Sequence, residues 1–250
     1  MYRGSRKHML DWTDQPTFIV ELLNAVSPVG ASVTATSAWI PRGHRSPEEA
    51  RLDSFGPTFL PGHQVWPALR KWWLLHERGA NTPNWDLVLA CEIDGQPGLV
   101  LVEAKAHKVE LKPEGKGIAL DASQNSREND DRIRSAIQEA RQRLSALGVE
   151  TGIDRDSHYQ LSNRVAFTWK LASLGIPTAL IYLGFLGDEG ISDVGQPFAD
   201  DADWRETFWS HAAPIVPEEL FERRLDVGNA PAWFLVRSRR ILESSPKADS

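Results

Sequence analysis

Two charged residues close an apolar run that should lie inside the protein. The stretch 98–107, "GLVLVEAKAH", is apolar on both faces as far as Val102 and then carries Glu103 and Lys105 on a single face. Seventeen residues before Glu103, Asp86 opens a second apolar run, "WDLVLACEI" (85–93). The link "DGQP" has turn chemistry, so the two runs are predicted to form a β-hairpin. With Gly95 and Gln96 as the turn, Asp86 lies opposite Lys105 and Glu103 opposite Val88, and a four-residue loop from Asp94 to Pro97 keeps that register. Opposed residues share a face, so Asp86, Glu103 and Lys105 converge. A one-residue slip would send Asp86 to the far face. Glu92 shares the face, but it stands six residues from Asp86, roughly 20 Å at about 3.3 Å per residue.

Two carboxylates beside an ammonium allow two readings. One is chemical: with waters and a backbone carbonyl, the carboxylates suit a hard Mg2+ ion. Such an ion polarises a phosphoryl oxygen and generates a hydroxide nucleophile, while the lysine orients the water or stabilises transition-state charge. The other is a structural salt bridge at a solvated strand end, which is what most isolated E-x-K patterns are. Three features favour chemistry here. The strand before Glu103 reads as central, an aspartate precedes it in hairpin register, and an amphipathic helix and another buried strand follow.

The elements around the hairpin follow from periodicity. A short helix is predicted over Asp14–Val26, a β-rich segment over Ala31–Ile40, and a short helix near "SPEEARL". His63–Glu77 carries Val65, Leu69, Trp72 and Trp73 at helical spacing, with Gly79 as its stop. Lys108–Asp121 is a charged excursion. Ser126–Leu147 is a long amphipathic helix in which Asn125 with Glu128 resembles a capping box, and Gly148 ends it. A second helix covers 157–175, a buried strand covers "IPTALIYLGFLG", and "AWFLVRSRR" is a further possible strand. No repeat or linker interrupts the 250 residues, so a single α/β domain around a central sheet is expected.

Composition narrows the class. Apolar residues at 41% and charged residues at 25% fit a globular chain, large enough for a sizeable core. Ten tryptophans are expected mainly as packing residues. Cys91 is the only cysteine, which excludes an intrachain disulfide or thiolate zinc site and points to a reducing, cytoplasmic setting. The basic N-terminus lacks an apolar run after it, so no signal peptide is expected, and no stretch is long enough to span a membrane. Net charge −6 argues mildly against nucleic acid, subject to where the positive charge sits. The seven histidines show no H-E-x-x-H spacing, and there is no phosphate-binding G-x-x-x-x-G-K-[ST] or nucleophile-bearing G-x-S-x-G.

The segment "TPNWDLVLACEIDGQPGLVLVEAKAH" resembles the PD-(D/E)xK nuclease superfamily, with "NWD" in place of the Pro-Asp element and "EAK" as E-x-K. Trp85 stands where proline is usual, although Pro83 is near. The downstream "HYQLSNRVAFTWKLASLGIPTALIYLGFLGD" looks like the helix-to-strand unit of many bacterial members. The resemblance implies a restriction-endonuclease-like core over about 61–187, a central mixed four- to five-stranded sheet flanked by helices, with embellishments at both termini. Only two clear strands precede the long helix where that fold wants three; Ala31–Ile40 is the candidate for the third.

The resemblance also implies roles. Asp86, Glu103 and the backbone carbonyl of Ala104 would bind Mg2+ or Mn2+, and Lys105 would serve the attacking water. Glu77, with Glu49 in reserve, is the candidate for the glutamate that often completes the metal shell. Gln160 and Tyr159 open the helix where some members carry a functional Gln or Tyr. His107 is a candidate for contact with phosphate or the metal's outer shell, weighed against a solvated strand end, and Lys108 is a candidate for a positive cleft that takes the phosphate backbone. The arginines of 127–143 read as a solvated, ion-paired helix face or as one wall of a positive cleft. The expected partner is nucleic acid, DNA before RNA, and a homodimer is compatible. A protein of the same fold that binds a nucleic acid or protein partner without turnover is the second hypothesis; divalent-metal binding at Asp86 and Glu103 separates the two.

Overall fold

Nine consecutive buried residues, Thr178–Leu186, can lie only in the middle of a sheet covered on both faces. The structure, a computed structural model, describes residues 2–60 and 64–241. Its elements are α1 (Gly4–Thr13), α2 (Phe18–Ala25), β1 (Ala31–Ser32), β2 (Trp39–Ile40), β3 (Ala50–Arg51), α3 (Leu52–Phe59), α4 (Trp66–Trp73), β4 (Asn84–Trp85), β5 (Leu87–Ile93), β6 (Gln96–Lys105), α5 (Gln124–Ala146), α6 (Tyr159–Ser173), β7 (Thr178–Leu186), α7 (Asp201–Ala212), β8 (Arg224–Asp226) and β9 (Pro231–Arg240).

The chain is α/β with one mixed seven-stranded sheet, in the order β1-β5-β6-β7-β9-β8, and β2 also pairs with β5. β6, β7 and β9 run parallel to their neighbours in that series, and the other pairings are antiparallel. On one face α1 and α2 bring Met9, Trp12, Phe18 and Leu22 against Leu87, Val100, Val102 and Ala104. On the other, Trp73, Ile137, Phe167 and Phe208 from α4, α5, α6 and α7 cover Val88, Leu101 and Tyr182. No helix among the described residues is long and apolar enough to cross a membrane.

The sheet is larger than the four to five strands expected. Ala31–Ile40 supplies two short strands, both on the outer side of β5. "AWFLVRSRR" is β9, which joins β7 over its whole length and carries β8 at the sheet's edge. The expected core of 61–187 begins on residues outside those described, and β1, β2, β8 and β9 lie beyond it in the same sheet.

Several boundaries also move. An unforeseen helix, α1, precedes α2, which starts at Phe18 rather than Asp14. The helix expected from His63, itself outside the described residues, ends at Trp73 because Leu74 turns extended, so Glu77 lies past it. α5 starts earlier than expected and is capped by Ser123, whose side chain accepts from the Ser126 N–H, rather than by Asn125.

The hairpin turn is Asp94–Gly95, with φ of 53° and 72°, one residue earlier than expected. Positive φ at both central residues is what a two-residue turn requires, and Asp-Gly supplies it. The register therefore runs from Leu87 opposite Val102 to Ile93 opposite Gln96, two residues from the expected one. Because side chains alternate with period two, every residue keeps its face. The partners change: Asp86 continues the series opposite Glu103 rather than Lys105, and Val88 faces Leu101 rather than Glu103.

Candidate functional site

β6 is buried from Gly98 to its end, and its alternation separates two environments. Val102, Ala104 and Ala106 enter the core beneath α1 and α2. Glu103 and Lys105 point the other way, beneath α6, and are 1% and 5% exposed. Parallel pairing with β7 sets Glu103 beside Tyr182 and Lys105 beside Gly184. Asp86, just before β5 and partly buried, accepts the Ala104 N–H at its Oδ2, 2.8 Å away. A strand residue sends its N–H and C=O to the same side, so the Ala104 carbonyl also leaves β6 toward the Asp86 edge.

Glu103 is held from two sides. Its Oε1 accepts from Lys105 Nζ, and its Oε2 accepts from Arg164 Nε at 2.7 Å. Arg164 comes from α6, stacks over the Trp85 ring at 4.3 Å, and donates through Nη2 to the Asn84 carbonyl at 2.6 Å. The guanidinium thus ties the segment before Asp86 to the carboxylate on β6. A buried carboxylate with two cationic partners is stable only because both are present.

The two carboxylates titrate apart. Burial and the Glu103 charge push Asp86 up to about 7, against the opposing pull of Lys105, the Ala104 N–H and Arg164. Burial also disfavours the Glu103 anion, but Arg164 and Lys105 outweigh it and hold Glu103 below its ordinary value. Burial, then Glu103, raises the Tyr182 phenol well above its usual range, so it stays a neutral hydroxyl. That hydroxyl is fully buried and finds no hydrogen-bond partner among the described residues.

These groups fit a hard divalent cation. Asp86 is the carboxylate that Glu103 destabilises, which a dication would relieve. Among the described residues Asp86 accepts only the Ala104 N–H, the Ala104 carbonyl lies on the same edge, and the Tyr182 hydroxyl is an unused donor for a coordinated water, whereas Glu103 Oε2 is already filled by two nitrogens of Arg164. Among the described residues no three His, Cys, Asp or Glu side chains converge, so the protein would supply two carboxylates and leave the remaining positions to oxygen ligands of other kinds.

The other sequence candidates scatter. Glu77 pairs with Arg70 at 3.3 Å and has no contact with the cluster. Glu49 accepts from Asn84 Nδ2 at 2.8 Å, two residues from Asp86, and pairs with Arg6. His107 is buried, with Nε2 3.1 Å from Glu110 and Nδ1 unpartnered among the described residues. Lys108 is paired with Asp203. Gln160 is exposed and Tyr159 half-buried at the start of α6. Three of the five arginines of α5 do structural work: Arg127 binds the Leu120 and Ala122 carbonyls, Arg132 the Lys71 carbonyl, and Arg134 pairs with Asp156, while Arg141 and Arg143 are exposed.

Three neighbours escaped the sequence reading: Arg164, Tyr182 and Glu110. Arg164 had a signal, as the only charged residue of the helix before Lys170, on the same stripe as Leu161 and Thr168. Tyr182 carries the only phenol of an apolar strand. Glu110 accepts the Ala106 N–H at 3.0 Å, and burial raises its pKa against the pull of Lys105; nothing in its sequence position marked it. Comparison with protein-family models, with curated proteins and with solved structures found no match, so the reading of this site rests on its own residues.

Proposed function

We propose that the chain is a metal-dependent nuclease of the PD-(D/E)xK type that hydrolyses phosphodiester bonds of DNA in the cytoplasm, with the antiparallel β2-β5-β6 strands, α5, α6 and β7 as its restriction-endonuclease-like core. The observation that carries this reading is the placement of Asp86, bound to the Ala104 N–H one residue beyond the last β5–β6 pair, close enough to Glu103 for its charge to act on Asp86, at the end of a central strand beside Lys105. A purely structural strand end has no use for a second carboxylate placed where the first opposes its ionisation.

In this reading Asp86, Glu103 and the Ala104 carbonyl would hold Mg2+ or Mn2+. The bound ion supplies charge neutralisation at the phosphoryl group and a water of lowered pKa. Arg164 fixes the Glu103 carboxylate in place, and the Ala104 N–H fixes Asp86 Oδ2. Lys105, released from part of its contact with Glu103, orients the attacking water and stabilises charge growing on the phosphate. The neutral Tyr182 hydroxyl, without a partner among the described residues, would donate to a water held in the same enclosure.

One observation favours the second reading, a binding protein on this fold without turnover. Both Glu103 oxygens already have cationic partners, and Glu103 and Lys105 are almost wholly enclosed. Mg2+ and Mn2+ titrations decide between them, with thermal stability and plasmid nicking followed in the wild type and in Asp86→Ala. Metal-dependent stabilisation and nicking, both lost in the variant, are expected for the nuclease. A wild type that answers to neither ion overturns it in favour of the binding protein.

A further inference from the structure

We propose that His158 and His211 form a second metal site, separate from the carboxylates, that takes a borderline transition-metal ion of the Zn2+ class. The two rings come from different elements, His158 from the residue before α6 and His211 from the last turn of α7. Their centroids are 4.8 Å apart at an interplanar angle of 54°. Two imidazoles on one tetrahedral ion, with metal–nitrogen bonds of about 2.0–2.1 Å, hold their centroids roughly 5 Å apart. The observed spacing is close to that value.

The backbone is arranged to deliver His158. It adopts φ 44°, ψ 39°, the left-handed region, which costs a side-chain-bearing residue about 1–2 kcal/mol. The conformation is pinned on both sides: the His158 N–H donates to the Pro113 carbonyl at 3.1 Å, the Tyr159 N–H to Glu114 at 3.0 Å, and the Ser162 N–H to His158 itself at 2.9 Å. The ring that results is nine-tenths buried, and its Nδ1 has no partner among the described residues. The backbone hydrogen bonds hold this conformation, and among the described residues no side-chain hydrogen bond to the ring makes use of it.

A neutral imidazole nitrogen is a metal donor, and two imidazoles stand side by side here. The pair borders a cleft of about 600 Å³ whose charged walls are Lys108, Asp203 and Glu206. Lys108 is neutralised by Asp203, and the remaining charged wall, Glu206, has no ion pair among the described residues. Imidazole ligands favour Zn, Cu and Ni over Mg or Ca. No third His, Cys, Asp or Glu closes on the pair among the described residues, which leaves positions for water or an exchangeable ligand.

The test titrates Zn2+ against a chromophoric chelator in Asp86→Asn, which removes a carboxylate of the other cluster, alone and combined with His211→Gln or with His158→Asn. Asparagine tolerates the left-handed backbone, so His158→Asn keeps the fold. One equivalent of Zn2+ is expected, with affinity falling more than about tenfold in each histidine variant, the lower end of what even an outer-shell partner costs. Diethyl pyrocarbonate labelling of the wild-type chain, mapped by mass spectrometry, requires no substitution: Zn2+ should protect His158 and His211. Zn2+ affinity unchanged in both variants, or labelling of the two rings unaffected by Zn2+, overturns the proposal.

Discussion

Arg164 directs two nitrogens, Nε and Nη2, at one oxygen of Glu103, each 2.7 Å from Oε2. Both side chains are almost wholly enclosed, so the pair is worth little as net stabilisation but a great deal once broken. Arg164→Met should cost about 3 kcal/mol, the lower end for a buried pair because Lys105 remains on Glu103. Urea denaturation measures it; a loss below about 1 kcal/mol would place Arg164 among surface pairs.

Asp86 makes stability fall as pH rises. Its folded value, about 7, lies above the ordinary 3.8, so between those values the folded chain binds a proton that the unfolded chain has released. Without divalent metal, stability should decline from about pH 4 to about pH 7 and then level. The shift is at most about 4 kcal/mol, which the partial exposure of Asp86 reduces to roughly 2. Asp86→Asn should remove the decline and be the more stable protein above pH 7. Melting temperatures across that interval, in a chelating buffer, check the slope; equal slopes in both proteins contradict it.

Gly184 stands beside Lys105 in the parallel register and lies under the Trp204 indole of α7. A Cβ there would sit 2.4 Å from Trp204 Cδ2, a ring that is completely buried. Gly184→Ala should destabilise by about 1–3 kcal/mol through overpacking, with near-UV dichroism reporting the displaced indole.

Lys108 and Asp203 form a half-buried pair, with 29% and 23% of their side chains exposed. Lys108→Ala should change stability by no more than about 1 kcal/mol. If the chain binds DNA through Lys108, the same variant should weaken binding alike for all sequences and lower the salt slope by about one unit. An unchanged salt slope removes Lys108 from the interface.

The hairpin and its charged end were legible because period-two alternation survives an error in the turn. Placing the turn one residue late misaligned the partners by two, and the faces of Asp86, Glu103 and Lys105 came out unaltered. Arg164 was harder to place, because a lone arginine on an apolar helix stripe announces a buried partner without naming it. Its partner lies 61 residues away, on a strand that only the folded sheet sets beneath α6. β1 and β2 were read as one strand because β-propensity across Ala31–Ile40 is continuous, while pairing with β5 is not. β9 was read as a strand, yet nothing local to it specifies β7 as its neighbour.

The order of strands across the sheet also sets an order in time. β5 and β6 are joined by a two-residue turn and can pair as soon as they leave the ribosome, carrying Asp86 and Glu103 with them. Their enclosure waits for Arg164 and Tyr182, which are synthesised about 60 to 80 residues later. Until then the nascent hairpin presents two hydrated carboxylates with no guanidinium to hold them. The site is finished only as α6 packs over it and β7 pairs beside β6, and a chain released before that point would carry the right residues with no means of holding them in place.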